Sequence, residues 1–240
     1  MKKNEVTTFI GALECNQNDT PRLSSILAKA NDLELFQLLS EETTMFKDIN
    51  KIDNMVLISF RYIEIIRMPS FMERIKIKTF PYETNRVMGY RHTYLYVQYN
   101  NPIIKLHSEG PLFDLVNNHL LRFDLSKIKT LNKYPKQDIV INKTNITEDI
   151  ELIKLADVTI TNDLVDRFKH VNNTKYLQIF EQFLQVGYNY LEIYYKRPAY
   201  LGDNLSIYSG SIDTHNVLQL HDNNNNLICR LIYKRGQNEN

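Results

Sequence analysis

Two periodicities share the chain. Residues 55–67 read Met-Val-Leu-Ile-Ser-Phe-Arg-Tyr-Ile-Glu-Ile-Ile-Arg, a long β-branched run that predicts a strand, with Pro69 ending it. Ile75-Lys76-Ile77-Lys78-Thr79-Phe80 alternates and places a second strand within 71–82. The Tyr-rich stretch 87–99 and the stretch 103–114 predict a third and a fourth, parted by the turn signal Asn100-Asn101-Pro102. Strands in succession with short turns predict an antiparallel meander. Upstream, 6–15 reads as a strand. Leu23, Ile26, Leu27, Ala30, Leu33 and Leu38 then recur at helical spacing, with Pro21 near the first turn and Thr20 or Ser24 as cap.

The second half repeats this order. Residues 156–161 read as a short strand and 162–169 as a turn. Residues 171–185 read as a helix with Tyr176, Ile179, Phe180, Phe183 and Leu184 on one side. Strands follow at 188–196, 203–212, 217–221 and 227–233, with 222–226, Asp-Asn-Asn-Asn-Asn, as a hairpin turn. Between the halves, 116–151 is less periodic and richer in Lys and Asn, which reads as a linker. Shared element order with little residue identity predicts a structural duplication. In each unit an antiparallel sheet buries one face against a helix that supplies an apolar stripe, an α+β arrangement.

Composition removes several classes. Among 240 residues, Lys plus Arg number 29 and Asp plus Glu 28, a net charge of +1 that argues against nucleic acid as the main partner. No apolar run approaches the roughly 18 residues of a membrane-spanning helix. After Met1-Lys2-Lys3, Glu5 and the threonines 7 and 8 break any apolar signal segment, so a cytoplasmic location is expected. Cys15 and Cys229 are too few for a disulfide framework or a zinc cage, and Cys15 reads as a small apolar side chain. His92, His107, His119, His215 and His221 show no metal-ligand spacing, and there is no Gly-rich phosphate loop. No metal or organic cofactor is expected.

The segment richest in chemistry is Asp166-Arg167-Phe168-Lys169-His170-Val171-Asn172-Asn173-Thr174-Lys175-Tyr176. A carboxylate stands four residues before a histidine where a helix begins. A histidine titrates near neutrality and can take a proton from water. Asp166 is placed to hold the imidazole or the water. The first amides of the helix, at Val171, Asn172 and Asn173, are expected as unpaired donors that stabilise an oxyanion. Asn172 and Asn173 are equally suited to capping the helix and nothing more.

His170-Val171-Asn172-Asn173-Thr174-Lys175-Tyr176 resembles the His-Val-Asn-Asn-x-x-Tyr helix start of the acyl-acyl-carrier-protein (acyl-ACP) thioesterases, double hot-dog enzymes of fatty-acid synthesis. Other segments follow that family's order. They are Glu14-Cys15 with Arg22-Leu23-Ser24, Val56-Leu57 through Arg67-Met68-Pro69, and Ile77 to Pro81. Arg91, Ser108 to Asp114, and Tyr195-Lys196-Arg197 with Gly202-Asp203 complete them. The resemblance implies a tandem hot-dog, with antiparallel sheets each wrapped around a long helix. It implies an N-terminal hot-dog over 1–125 that binds the acyl chain, a linker over 126–153, and a C-terminal hot-dog over 154–240 that carries the catalytic motif.

Of the family's Asp-x-Asn-x-His pattern, Asp166 and His170 match, and Phe168 replaces the middle Asn. The family's later Glu, often followed by Cys, falls on Pro198 and Ala199, neither of which acts as acid, base or nucleophile. A slip of the alignment would bring Glu192 or Tyr200 to that place instead. The implied function is hydrolysis of fatty acyl-ACP to free fatty acid, by Asp166, His170 and the helix amides. The implied partner is acyl carrier protein bearing an acyl-phosphopantetheine, with no membrane partner and a monomer or homodimer as the assembly. Two alternatives stand beside it: a catalytically impaired acyl-binding or regulatory protein, which Phe168 and Pro198 favour, and an acyl-CoA thioesterase. Arg61, Arg67, Arg86 and Arg91 with Lys76 and Lys78 interleave with aromatics. They read as a solvated sheet face, or as a surface receiving the phosphopantetheine arm or an acidic carrier.

Overall fold

A computed structural model describes residues 4–41, 54–97, 101–114, 116–117, 119–122, 134–146, 150–184 and 187–235. The chain forms two compact units, Met1–Val140 and Ile141–Asn240. No described helix is long and apolar enough to cross a membrane.

In the first unit, β1 (Glu5–Phe9) is followed by a 3-10 turn and helix α1 (Leu23–Glu41). Then come β2 (Asn54–Val56), β3 (Phe60–Ile65), β4 (Arg74–Thr84), β5 (Met88–Tyr96), β6 (Pro102–Asp114) and β7 (His119–Leu120). The sheet order is β1-β4-β5-β6-β3, antiparallel throughout, with β2 and β7 also on β6. The expected meander is therefore corrected: β3 pairs with β6, three strands away from β4. The eight-residue connection 66–73 crosses the end of the sheet to reach β4. Three interstrand gaps of about 4.8 Å lie well within the reach of eight residues.

The second unit has β8 (Ile153–Thr159), a 3-10 turn, helix α2 (Asn173–Phe180), β9 (Tyr188–Tyr195), β10 (Asn204–Ile212), β11 (His215–His221) and β12 (Leu227–Arg235). Its order is β9-β12-β11-β10-β8. Numbering the five long strands within each unit gives 1-3-4-5-2 both times, with an eight-residue crossover, 66–73 and 196–203, at the same place.

Several predicted boundaries move for identifiable reasons. The strand over 6–15 stops at Phe9, because the Gly11 N–H binds Glu14 Oε2 at 2.7 Å and Ala12–Glu14 close a 3-10 turn. The strand over 55–67 breaks at 57–59, where the chain crosses close over Gly110. A Cβ at Gly110 would overlap the Leu57 carbonyl, yet Leu57 and Ser59 still donate to Pro111 and Glu109 at 3.0 and 2.9 Å. Gly110→Ala is therefore expected to destabilise the chain by about 3 kcal/mol, read from denaturant unfolding. Ser24 lies inside the first turn of α1 and Thr20 in the loop before it, so neither caps the helix; Arg22 precedes it, its carbonyl accepting from Ile26. The second helix ends at Phe180 rather than near 185. Beyond it Gln182 and Phe183 make tightened bonds to Ile179 and Phe180, and Gly187 takes a positive φ of 90°. Gln185 lies outside the described residues.

Strand alternation sets the core. In the first unit Ile63, Ile75, Ile77, Leu95, Ile104 and Leu106 are buried, as are Leu23, Ile26, Leu27, Ala30 and Leu33 of α1. Glu34 of α1 reaches Arg61 and Thr93 on this same inner face, at 2.9 and 2.6 Å. The reading of Arg61 and Arg91 as a solvated face is thus corrected. Arg61 is fully buried, and Arg91 donates to the Glu34 carbonyl at 2.9 Å. In the second unit Leu191, Ile193, Leu205, Ile207, Leu218, Leu220 and Leu231 are buried, with Leu177, Ile179 and Phe180 of α2. Cys15 and Cys229 are buried free thiols.

The other face of the first sheet is aromatic. His92 and His107 lie directly opposite one another on β5 and β6, ring centroids 5.4 Å apart. Tyr82 stands 4.4 Å from His92. Residues 134–140 cover this face: the Gln137 N–H donates to His92 Nδ1 at 3.2 Å and Tyr94 Oη to the Asp138 carbonyl at 2.9 Å. Burial, and then His107 and Lys136, lower the His92 pKa to about 3. The folded chain keeps His92 neutral, whereas an unfolded histidine takes up a proton near pH 6.5, so acid favours unfolding. This contribution is present in full above pH 6.5 and declines below it, by about 2 kcal/mol at pH 5. Unfolding titrations from pH 7 to 5 check it, because His92→Gln should flatten that slope.

Candidate active site

The candidate segment forms a five-residue loop, closed at its base by an antiparallel bridge between Val165 and Val171. The Asp166 N–H donates to the His170 carbonyl at 3.0 Å, and the Lys169 N–H to the Asp166 carbonyl at 2.9 Å, with Lys169 at a positive φ of 65°. Asp166 Oδ1 accepts from the Phe168 N–H at 2.8 Å, and Oδ2 from Asn172 Nδ2 at 3.1 Å. The carboxylate thus ties the loop to the helix start. It makes no hydrogen bond to the His170 ring.

Asn172 is the N-cap of α2. Its Oδ1 accepts from the Thr174 N–H at 3.0 Å and from Thr174 Oγ1 at 2.8 Å. The three amides expected as free donors differ. Val171 N–H donates to the Ala199 carbonyl at 2.9 Å and Asn172 N–H to the Leu164 carbonyl at 3.1 Å. Both are engaged in holding the loop, which leaves Asn173 N–H at the positive end of the helix.

The crossover 196–203 runs beside this loop. Ala199 is fully buried and held twice, its carbonyl by Val171 and its N–H by Tyr176 Oη at 3.0 Å. Burial raises the Tyr176 phenol pKa far above its ordinary value, so it stays a neutral hydroxyl. Pro198 is exposed. Tyr200 stands edge-on to His170, ring centroids 5.1 Å apart at 75°. Phe168 lies under the Arg167 guanidinium at 5.5 Å. Glu192 is on the opposite face of its sheet, fully buried, bound by Thr144 Oγ1 at 2.7 Å and Tyr194 Oη at 2.6 Å. Of the two residues a slipped alignment would introduce, Tyr200 lies beside His170; Glu192 is fixed by Thr144 and Tyr194.

The first unit contains the same loop, closed by the same backbone bonds within it. Cys15 and Pro21 make the base bridge, the Asn16 N–H donates to the Thr20 carbonyl, and Asp19 carries the positive φ of 56°. Asn16 Oδ1 accepts from the Asn18 N–H at 2.9 Å, and the Arg22 N–H donates to the Glu14 carbonyl. The crossovers match as well: Ser70 N–H binds the Glu73 carboxylate as Tyr200 N–H binds that of Asp203. Met72, with φ 62°, takes the place of Gly202, with φ 87°. The loop conformation therefore belongs to the scaffold, and the two copies differ in the side chains they carry. Thr20 and Ser70 stand where the second unit has His170 and Tyr200. Pro21 and Pro69 stand where it has Val171 and Ala199, whose N–H groups bind the crossover and Tyr176. The place of Tyr200 beside His170 was not legible in the sequence, and the pairing of the two loops, 150 residues apart, is the signal that finds it.

No family model matches the chain, and no curated protein matches it by sequence. Solved structures do match. An acyl-ACP thioesterase from Bacteroides thetaiotaomicron superimposes with a TM-score of 0.81 at 15% identity, over 98% of this chain and 99% of that one. The 12:0-ACP thioesterase of Umbellularia californica gives 0.74 at 14% identity, over 96% and 95%. The chain shares their fold. At these identities the likeness is one of fold.

Proposed function

We propose that the chain is an acyl-ACP thioesterase of tandem hot-dog architecture, acting in the cytoplasm. Residues 1–125 are assigned to acyl-chain binding, 126–153 to the linker and 154–240 to catalysis. The carrying observation is the divergence of a duplicated loop: one scaffold holds Thr20 and Ser70, the other His170 and Tyr200 at the head of α2. The shared fold with acyl-ACP thioesterases supports the reading.

In this reading His170 takes a proton from water as the water oxygen attacks the thioester carbonyl carbon. The Asn173 N–H and the helix dipole stabilise the resulting oxyanion. The C–S bond then breaks, the acid leaves, and the proton passes from the imidazolium to the phosphopantetheine thiolate. A thiolate leaves readily, so the acid that Pro198 cannot supply is not essential to this step. Asp166 holds the loop, and its remaining lone pairs orient the water. Arg167, Lys169, Lys196 and Arg197 are exposed on the two loops that flank His170, a positive border for an acidic carrier.

The test is release of free acid from acyl-ACPs of several chain lengths, beside the matching acyl-CoAs. Turnover of acyl-ACP supports the proposal. Turnover of acyl-CoA alone selects the acyl-CoA alternative. Pro198 favours the acyl-binding reading, and binding without release would select it.

A further inference from the structure

We infer that Tyr200 is a positioning residue for His170, its ring holding the imidazole in the orientation that hydrolysis requires. This rests on the thioesterase reading above and adds to it a residue from the crossover loop.

The observation is a ring that, among the described residues, no hydrogen bond holds and that meets one aromatic neighbour. Among the described residues no hydrogen bond reaches either nitrogen of His170; Asp166 fixes the backbone of the loop and leaves the imidazole unheld. The ring meets Tyr200 at 5.1 Å, edge to face at 75°. Packing by a neighbour that takes no ring nitrogen keeps both nitrogens available, one to accept a proton from water.

Tyr200 is itself fixed. Its N–H donates to Asp203 Oδ2 at 2.8 Å, and its carbonyl accepts from the Asp203 N–H at 3.1 Å. The bond from Val171 N–H to the Ala199 carbonyl joins the residue after His170 to the residue before Tyr200, which registers one ring against the other. In the first unit the turn from Ser70 to Glu73 keeps its two bonds, but the rings and the bond that joins the two loops are exchanged together. The rings become Thr20 and Ser70, and Pro21 and Pro69 lack the N–H groups that the second unit uses. Four coordinated differences at one place in a duplicated scaffold point to a requirement of the second unit, not of the fold.

Without the Tyr200 ring the imidazole samples its other rotamers. The productive fraction falls while the substrate-binding surface is unchanged, so the effect belongs in kcat and not in KM. The experiment measures kcat and KM for acyl-ACP hydrolysis, and the ring 1H–13C NMR signals of His170, in the wild-type chain, Tyr200→Leu and Tyr200→Phe. His170→Ala identifies the signal among the six histidines. Tyr200→Leu is expected to lower kcat about tenfold with KM unchanged, and Tyr200→Phe to stay within about twofold of wild type. The His170 ring signal should move with loss of the ring current in Tyr200→Leu and remain in Tyr200→Phe. Tyr200 is 47% exposed, so both variants should fold. Wild-type kcat in Tyr200→Leu overturns the assignment. So does a Tyr200→Phe as impaired as Tyr200→Leu, which would transfer the role to the hydroxyl. Absence of turnover by the wild-type chain overturns the thioesterase reading and this assignment with it, whereas turnover indifferent to Tyr200 overturns this assignment alone.

Discussion

His170→Ala lowers kcat for acyl-ACP hydrolysis about 10²–10³-fold, the usual worth of a positioned general base. The loop itself should survive the change. Its closing bonds are backbone bonds and Asp166 side-chain bonds, from Asp166 N–H to the His170 carbonyl, Phe168 N–H to Oδ1 and Asn172 Nδ2 to Oδ2. Thr20 occupies the matching position of the first unit in the same conformation, so the scaffold accepts a side chain other than histidine there. A residual rate is expected from the Asn173 N–H, which does not depend on the imidazole. Steady-state kinetics on acyl-ACP check this, with unfolding curves alongside. An unchanged kcat would remove His170 from the mechanism.

Arg61→Met lowers stability by about 3–5 kcal/mol, the cost of leaving one partner of a buried ion pair. The guanidinium is fully buried and has three acceptors: Glu34 Oε2 at 2.9 Å, Asn31 Oδ1 at 2.6 Å and Ser108 Oγ at 3.0 Å. Glu34 Oε1 accepts in turn from Thr93 Oγ1 at 2.6 Å. Without Arg61 the buried carboxylate loses the guanidinium paired with it at 2.9 Å. Replacing both members, Arg61→Met with Glu34→Leu, should recover most of the loss, because an apolar pair needs no desolvation of charge. Denaturant unfolding of the wild type and of the single and double variants measures the difference. Equal stability of wild type and Arg61→Met would contradict it.

The strands were legible in the sequence because their β-branched and aromatic alternation survives on half-buried faces, as in Ile75-Lys76-Ile77-Lys78. Their order was not. The crossovers 66–73 and 196–203 look like ordinary turn regions, and nothing local tells a connection to a neighbour from one across the sheet. Arg61 read as surface because its acidic partner, Glu34, is 27 residues away on α1. The duplication showed in the order of elements. Its residue correspondence did not, because the two loops are shaped by backbone bonds and by Asn16 and Asp166, which fold the loop alike with different side chains. The helix cap at Asn172 was among the sequence readings, but the engagement of Val171 and Asn172 N–H by Ala199 and Leu164 needs the tertiary contact. That engagement reduces the expected oxyanion donors from three amides to Asn173.

The most direct measurement is a single turnover of fatty acyl-ACP in 18O-labelled water, by the wild-type chain and by His170→Ala, with mass analysis of the products. Free acid carrying one 18O and released carrier protein are expected with the wild type, and greatly slowed release with His170→Ala. Intact acyl-ACP held by a folded wild-type chain would contradict this and leave an acyl-binding protein.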